Sequence, residues 1–273
     1  MLIDAHAHLD HGEAAVLPHV LAELKALRVL TISVAMDPAS YHRTCRLAER
    51  TRWILPTFGV HPWHAPAHVH HLDALQPLVG ASPMLGEIGL DYHWVEGRRA
   101  YAAQRTVFGY LLQAARDQGK IVNLHTKGAE GDVLMLLGHY AIERAIVHWY
   151  SGPLDTALAL AERGVWFTIG VEIHASRVIQ ELTRRLPLAQ LLSETDNPGG
   201  LEWLTGEIGM PRHLLGVIEA MAQLRGVAAA EMQAIIRQNM GRLVAGDSRL
   251  AAVHARLTRA ADGPSLPGVQ DRS

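Results

Sequence analysis

Two histidines stand one residue apart in the stretch LIDAHAHLD, with Asp4 and Asp10 beside them. Alternate residues of a strand face the same side, so His6 and His8 converge on one point, a spacing that suits capture of a metal ion. Glu87 lies between glycines in the apolar run GEIGL, where a charge is costly unless paired or metal-bound. A carboxylate has two oxygens and can bridge two cations, and Asp91, four residues on, is placed to orient a ligand from behind. His125 closes the run IVNLH, His148 closes AIVH, and Asp196 follows an apolar run and precedes a proline in SETDNPG.

Taken singly, each residue has an ordinary alternative: a hydrogen-bonded core histidine, a turn glutamate or an Asx cap. Taken together, His6, His8, Glu87, His125, His148 and Asp196 are four imidazoles and two carboxylates. Nitrogen and oxygen donors without thiolates suit Mg, Mn or Zn and not an iron–sulfur cluster. The set suffices for two divalent ions with Glu87 between them, able to hold a bridging hydroxide and polarise a phosphoryl or carbonyl oxygen. Asp196 is then expected to ligate one ion and take the proton of the attacking water, which makes Glu87 and Asp196 the expected catalytic carboxylates. Asp4 shares the parity of His6 and His8 and is expected to support a ligand from behind, as Asp91 does.

Something must bring residues from positions 6 to 196 to one place. Short apolar runs alternate with helical patterns along the chain: LIDAH, VLTISVAM, WILPTFGV, PMLGEIGL, IVNLHT, RAIVHWY, VWFTIG and LLSETD read as strands. Helical spacing follows in AAVLPHVLAELKAL, PASYHRTCRLAERT, LDALQPLVG, the long RAYAAQRTVFGYLLQAARDQG ending at Gly119, GDVLMLLGHY, LDTALALAERG and ASRVIQELTRR, with two more helices beginning near Pro211 and Ala228. About eight such units argue a parallel α/β fold closed as a single-domain (β/α)8 barrel of the TIM type. An open doubly wound sheet would be expected to carry a glycine-rich phosphate loop after an early strand, and the sequence has none. In a barrel the active site lies at the C-terminal strand ends, where all six residues stand. The barrel is expected over 1–245; from Gly246 to 273 periodicity fades, which reads as a partly disordered tail.

Composition fits one large domain. The chain has 273 residues, 49% of them hydrophobic, and a formal net charge of -2, so no global basic field advertises nucleic-acid binding. Cys45 is the single cysteine, which excludes an internal disulfide and a cysteine metal cluster. The 17 histidines raise the expectation of metal ligation. The N-terminus lacks a secretory pattern and no run is long enough to span a bilayer, so a soluble cytoplasmic protein is expected.

The pieces DAHAHLD, GVHPW, GEIGLDYH, LHTK, HWYSG and ETDNPG, in this order, resemble the TatD-related metal-dependent hydrolases of the amidohydrolase superfamily, and QNMGRLV with Asn239 is similar to that family's closing helix. The resemblance implies a metal-dependent deoxyribonuclease acting 3′-to-5′ on single-stranded DNA. It carries over the same six metal ligands and adds His61 as a phosphate contact. Three features depart from the family pattern: Lys127 stands in place of an arginine, as a point charge without the bidentate fork. Trp149 and Tyr150 stand in place of a small residue and Phe. The stretch GGLEWLTGEIGMPR is acidic and apolar where the family tends to be basic, and a channel of that composition binds a polyanion weakly. Lys127 can still neutralise a phosphate, and Trp149 and Trp203 are candidates for base stacking or for simple packing.

Two other readings remain open. One is hydrolysis of a small amide, lactone or phosphoester on the same fold, which the 199–210 stretch favours. The other is a non-catalytic, metal-stabilised subunit of a larger assembly, against which the presence of Asp196 argues.

Overall fold

In the computed structural model, which describes residues 1–95 and 97–259, eight strands follow one another with helices between them. They are β1 (Leu2–Ala7), β2 (Val29–Val34), β3 (Ile54–Thr57), β4 (Leu85–Gly89), β5 (Val122–His125), β6 (Ala145–Val147), β7 (Trp166–Ile169) and β8 (Leu191–Ser193). All ladder pairings are parallel, in the orders β1-β2-β3 and β4 through β8. Backbone hydrogen bonds close the two seams. At β3/β4, the N–H of Gly86 donates to the carbonyl of Phe58 at 2.8 Å. At β8/β1, the N–H of Asp196 donates to the carbonyl of His6 at 3.0 Å, and that of His8 to the carbonyl of Asn197 at 2.7 Å. The expected (β/α)8 barrel is therefore the fold.

The helices form where the sequence supplies ends for them. Pro38 opens the helix Pro38–Arg50, where a missing N–H costs nothing, and Asp37 accepts from the N–H of Ser40 at 2.7 Å. The long helix Arg98–Gln118 ends at Gly119, which takes the left-handed conformation with φ 58°. Its buried face (Val107, Phe108, Leu111, Leu112) covers the barrel wall, each large side chain contributing about 1.5–3 kcal/mol by leaving water.

Three local expectations change. The stretch LDALQPLVG is not one helix but a 3-10 turn, Leu72–Leu75, and a short helix, Gln76–Ala81. Pro77 has no N–H to give and is tolerated only in a first turn, so the helix starts afresh there. After β8 a helix absent from the sequence reading, Gly199–Thr205, precedes His213–Arg225 and Ala229–Val244. The tail expected from Gly246 is ordered as far as Arg259: a 3-10 turn, Ser248–Leu250, leads into the helix Ala251–Arg259, which buries Val253 and Leu257. The remainder of that tail, 260–273, lies outside the described residues.

Two register irregularities bear on function. The β1–β2 pairing shifts between Asp4 and Ala7, around His6, and the β4–β5 pairing shifts between Leu85 and Ile88, around Glu87. Irregularities of this kind bend a strand locally and re-aim a side chain. Gly89, at φ 150°, lets β4 lie directly against β5: a Cβ there would stand 2.0 Å from the carbonyl oxygen of His125. That approach sets Glu87 and His125 side by side. No described helix is long and apolar enough to cross a membrane.

Candidate metal centre

The strand ends bring the six expected residues into two groups that share Glu87. His6 Nε2 and His8 Nε2 stand 3.4 Å apart, and 3.6 and 3.1 Å from Glu87 Oε2. Asp196 Oδ1 lies 3.7 and 3.6 Å from the same two nitrogens. Across the carboxylate, His125 Nδ1 and His148 Nε2 are 2.9 and 2.8 Å from Glu87 Oε1 and 3.3 Å from each other. Each oxygen of Glu87 thus faces its own pair of imidazole nitrogens. Glu87 Oε2 is buried with no hydrogen-bond partner, an orphan that a cation would satisfy. This donor set fits divalent ions that accept nitrogen and oxygen ligands.

The residues behind the ligands fix which nitrogen points inward. His125 Nε2 donates to Asp91 Oδ2 at 3.0 Å, leaving Nδ1 toward Glu87. Asp91 thus contacts His125 on the side away from Glu87. His6 Nδ1 bonds Asn123 Oδ1 at 2.9 Å, while Asn123 Nδ2 donates to the carbonyl of Ala5 at 2.9 Å, so the Asn oxygen accepts and Nε2 of His6 is free. Asn123 escaped the sequence reading, although it stands two residues before His125 as the one polar side chain within an apolar run. Asp4, expected to support a ligand from behind, reaches Thr195. It accepts from the N–H of Thr195 at 2.9 Å and the hydroxyl of Thr195 at 2.7 Å, so it anchors the turn carrying Asp196 and not the histidines of its own strand. The β1–β2 register shifts just after Asp4. Asp10 bonds Arg43 at 2.9 Å.

Charge is concentrated here away from water. Burial alone would raise Glu87, but the surrounding imidazoles of His61, His148 and His6 hold its carboxyl well below the usual range. Burial would lower His8, yet Glu87, with Asp196 and Asp10, raises it to about 9. Burial pushes His148 and His61 well below the usual histidine value. Asp196 is raised by burial, and its backbone is left-handed at φ 52°, a conformation aspartate tolerates better than most residues. Two further carboxylates went unnoticed in the sequence: Glu194, raised well above its usual value by burial, and Glu172, pushed by burial up to about 7. Glu194 Oε2 lies 3.7 Å from His148 Nδ1, and its Oε1 accepts from the N–H of Trp149 at 3.0 Å.

A cavity of about 550 Å³ opens over the centre, with His61, Lys127, Trp63, Trp149 and Trp203 in its wall. His61 lies beyond β3, which ends at Thr57. Its Nδ1 accepts from the N–H of Trp63 at 3.3 Å, so Nε2 carries the proton and faces Glu87 Oε1 at 3.5 Å. An N–H directed into the site suits contact with an anion and not ligation of a metal. Lys127 Nζ reaches the same cavity while donating to the carbonyl of Trp149 at 3.1 Å and to Ser151 Oγ at 2.8 Å. Trp203, carried by the short helix after β8, is 67% exposed, so it is not core packing.

The family described as TatD related DNase matches residues 3–245. The human "Deoxyribonuclease TATDN3" is 27% identical over 256 residues, covering 87% of this chain and 92% of its own length. The "Uncharacterized metal-dependent hydrolase YcfH" of Escherichia coli K12 is 30% identical over 270 residues, covering 92% of this chain and 99% of its own. Among solved structures, the TatD homolog YJJV from Escherichia coli K12 superposes with a TM-score of 0.77 at 26% identity, over 89% of this chain and 97% of that one. An amidohydrolase from Saccharomyces cerevisiae shares the fold at 14% identity, with a TM-score of 0.70. With a match that runs from β1 to the helix Ala229–Val244, this chain belongs to the TatD-related DNase family of metal-dependent hydrolases.

Proposed function

We propose that the chain is a 3′-to-5′ exonuclease on single-stranded DNA that works with two divalent ions. The observation that carries this reading is the division of Glu87, with Oε2 toward His6 and His8 and Oε1 toward His125 and His148. His6, His8 and Asp196 would hold one ion, His125 and His148 the other, and Glu87 both. Bound there, Mg, Mn or Zn would supply Lewis acidity toward a phosphoryl oxygen and acidify water.

The chain's own residues account for the remaining tasks. His61 directs its Nε2–H into the cavity and would hold a non-bridging phosphate oxygen. Lys127 has three protons and two are engaged, which leaves one for the phosphate. Asp196 would take the proton of the attacking water, and burial raises its basicity for that role. Asp4, through Thr195, and Asp91, through His125, would hold these groups in position.

The test is a 5′-labelled single-stranded oligonucleotide incubated with protein reconstituted in Mg²⁺, Mn²⁺ or Zn²⁺. A ladder shortening from the 3′ end is expected, and chelator should abolish it. An intact oligonucleotide alongside turnover of a small phosphoester, lactone or amide would establish the second reading instead. That reading draws on the acidic, apolar segment around the exposed Trp203, where Glu202 also lines the cavity.

A further inference from the structure

A second cavity, of about 600 Å³, adjoins the metal centre and shares Trp94, Lys127, Trp149 and Trp203 with the first. Glu172 lines it, is 3% exposed, and has no hydrogen-bond partner on either carboxylate oxygen. Native proteins satisfy buried polar atoms, and a carboxylate with both oxygens orphaned calls for a ligand that donates. Among the described residues no donor completes a hydrogen bond to either oxygen. A Cβ on Gly170 would stand 2.6 Å from Glu172 Oε2 and 3.1 Å from Glu194 Oε1, so the neighbour across this glycine is another carboxylate. Glu194 Oε2 is itself unpartnered. The nearby cation, Lys127, gives two of its three protons to Trp149 and Ser151.

We propose that this second cavity is a base-recognition subsite that selects guanine in the nucleotide strand lying over the metal centre, with Glu172 as the residue that reads it. The proposal rests on the nuclease reading above. The wall presents two acceptors, the oxygens of Glu172, and leaves the remaining proton of Lys127 to the phosphate. Guanine presents the complement on its Watson–Crick edge, N1–H beside N2–H₂. Cytosine offers one donor followed by two acceptors, thymine a lone N–H between two carbonyls, and adenine a donor beside an acceptor. Guanine alone sets two adjacent N–H groups against a carboxylate. A guanidinium would also match Glu172, but Lys127 in the same wall opposes a cation.

The indoles supply the sequence-tolerant part of the binding. Trp203 lies 6.1 Å from Trp149 and 6.4 Å from Trp94, nearly perpendicular to both, and Trp94 is 54% exposed. An exposed indole face stacks any base, whereas hydrogen bonds to the base edge discriminate among them.

The test titrates the purified full-length chain with dGMP, dIMP, dAMP, dCMP and dTMP, following quenching of tryptophan fluorescence, and repeats the titration with Glu172→Gln. Binding of dGMP should be roughly tenfold or more tighter than that of the other three natural nucleotides, the scale of a hydrogen bond to a charged group. dIMP, which lacks the 2-amino donor, should fall between them. The Gln variant replaces one acceptor with a donor and should lose the preference while keeping its affinity for dAMP. The dIMP comparison uses the unaltered protein and decides the point even where the variant does not fold. Equal affinities for dGMP, dIMP and dAMP would overturn the proposal. If DNA is cleaved and the nucleotides bind equally, the subsite is wrong and the nuclease reading stands. If dGMP is preferred and no DNA is cleaved, the subsite stands and the nuclease reading is wrong.

Discussion

The imidazole of His125 gives its Nε2 proton to Asp91 across 3.0 Å, and that single bond commits Nδ1 to Glu87 and the centre of the barrel. Asp91 is itself locked, accepting from the indole N–H of Trp63 at 2.8 Å and from the backbone N–H groups of His93 and Trp94 at 2.9 and 2.7 Å. Asp91→Ala should lower metal affinity by about 10–100-fold, the usual effect of removing a residue that orients a ligand. Calorimetric titration with Mn²⁺ checks this, and an unchanged affinity would remove Asp91 from the account.

Asn123 does for His6 what Asp91 does for His125. Asn123→Ala removes the acceptor on His6 Nδ1 and the donor to the Ala5 carbonyl, both buried. The expected cost is about 1–3 kcal/mol of stability for each group left unpaired, read by urea denaturation of metal-free protein, with weaker metal binding in the same variant.

Asp196→Asn retains an oxygen for ligation and removes the base. Turnover should fall by at least about 100-fold, the lower range for loss of a general base. Metal analysis should show the ion content retained, which separates loss of the base from loss of the centre.

Metal should also stabilise the fold, because it ties together residues from β1 to the turn after β8. At a free concentration about 100 times Kd the gain is about 2.7 kcal/mol for each ion. In a chain of this size each kcal/mol raises Tm by roughly 2–4 °C. Thermal unfolding with Mn²⁺ and with chelator measures the difference.

Asp247 gives a pH dependence remote from the centre. It accepts from the Nε of Arg249 at 2.8 Å and from Arg144 at 3.0 Å, and these bonds, those from Arg249 foremost, hold its carboxyl below the usual range. A carboxyl depressed by folding contributes stability that is fully present above its unfolded value, about 3.9, and is lost as pH falls through the folded one. Asp247→Asn should therefore be less stable than the parent near neutrality, with the gap closing on acidification below about pH 4. Parallel urea curves across that range test it.

Much of this was legible in the sequence because chemistry and position coincide. His6 and His8 declare themselves by a spacing of two, and His125 and His148 by closing β-branched runs. What stayed hidden depends on register. The parity of Asp4 marks it as a support for a ligand but does not show that its partner is Thr195, 191 residues away. Asn123 and Glu194 each stand two residues before an expected ligand, at its parity, and a search confined to strand ends passes over them. Glu172 sits in a 3-10 turn after β7, where no periodicity marks a side chain as buried. The last helix was obscured by Gly246 and the polar residues after it, although Val253 and Leu257 keep a spacing of four.

The central claim is that Glu87 joins two ions, one on each oxygen. Electron paramagnetic resonance of the protein loaded with two equivalents of Mn²⁺ tests it most directly. A carboxylate bridge predicts a spin-coupled signal in place of the six-line spectrum of an isolated ion, with that spectrum returning in Glu87→Ala. A parent protein that shows only isolated Mn²⁺, or that binds a single equivalent, would contradict the account.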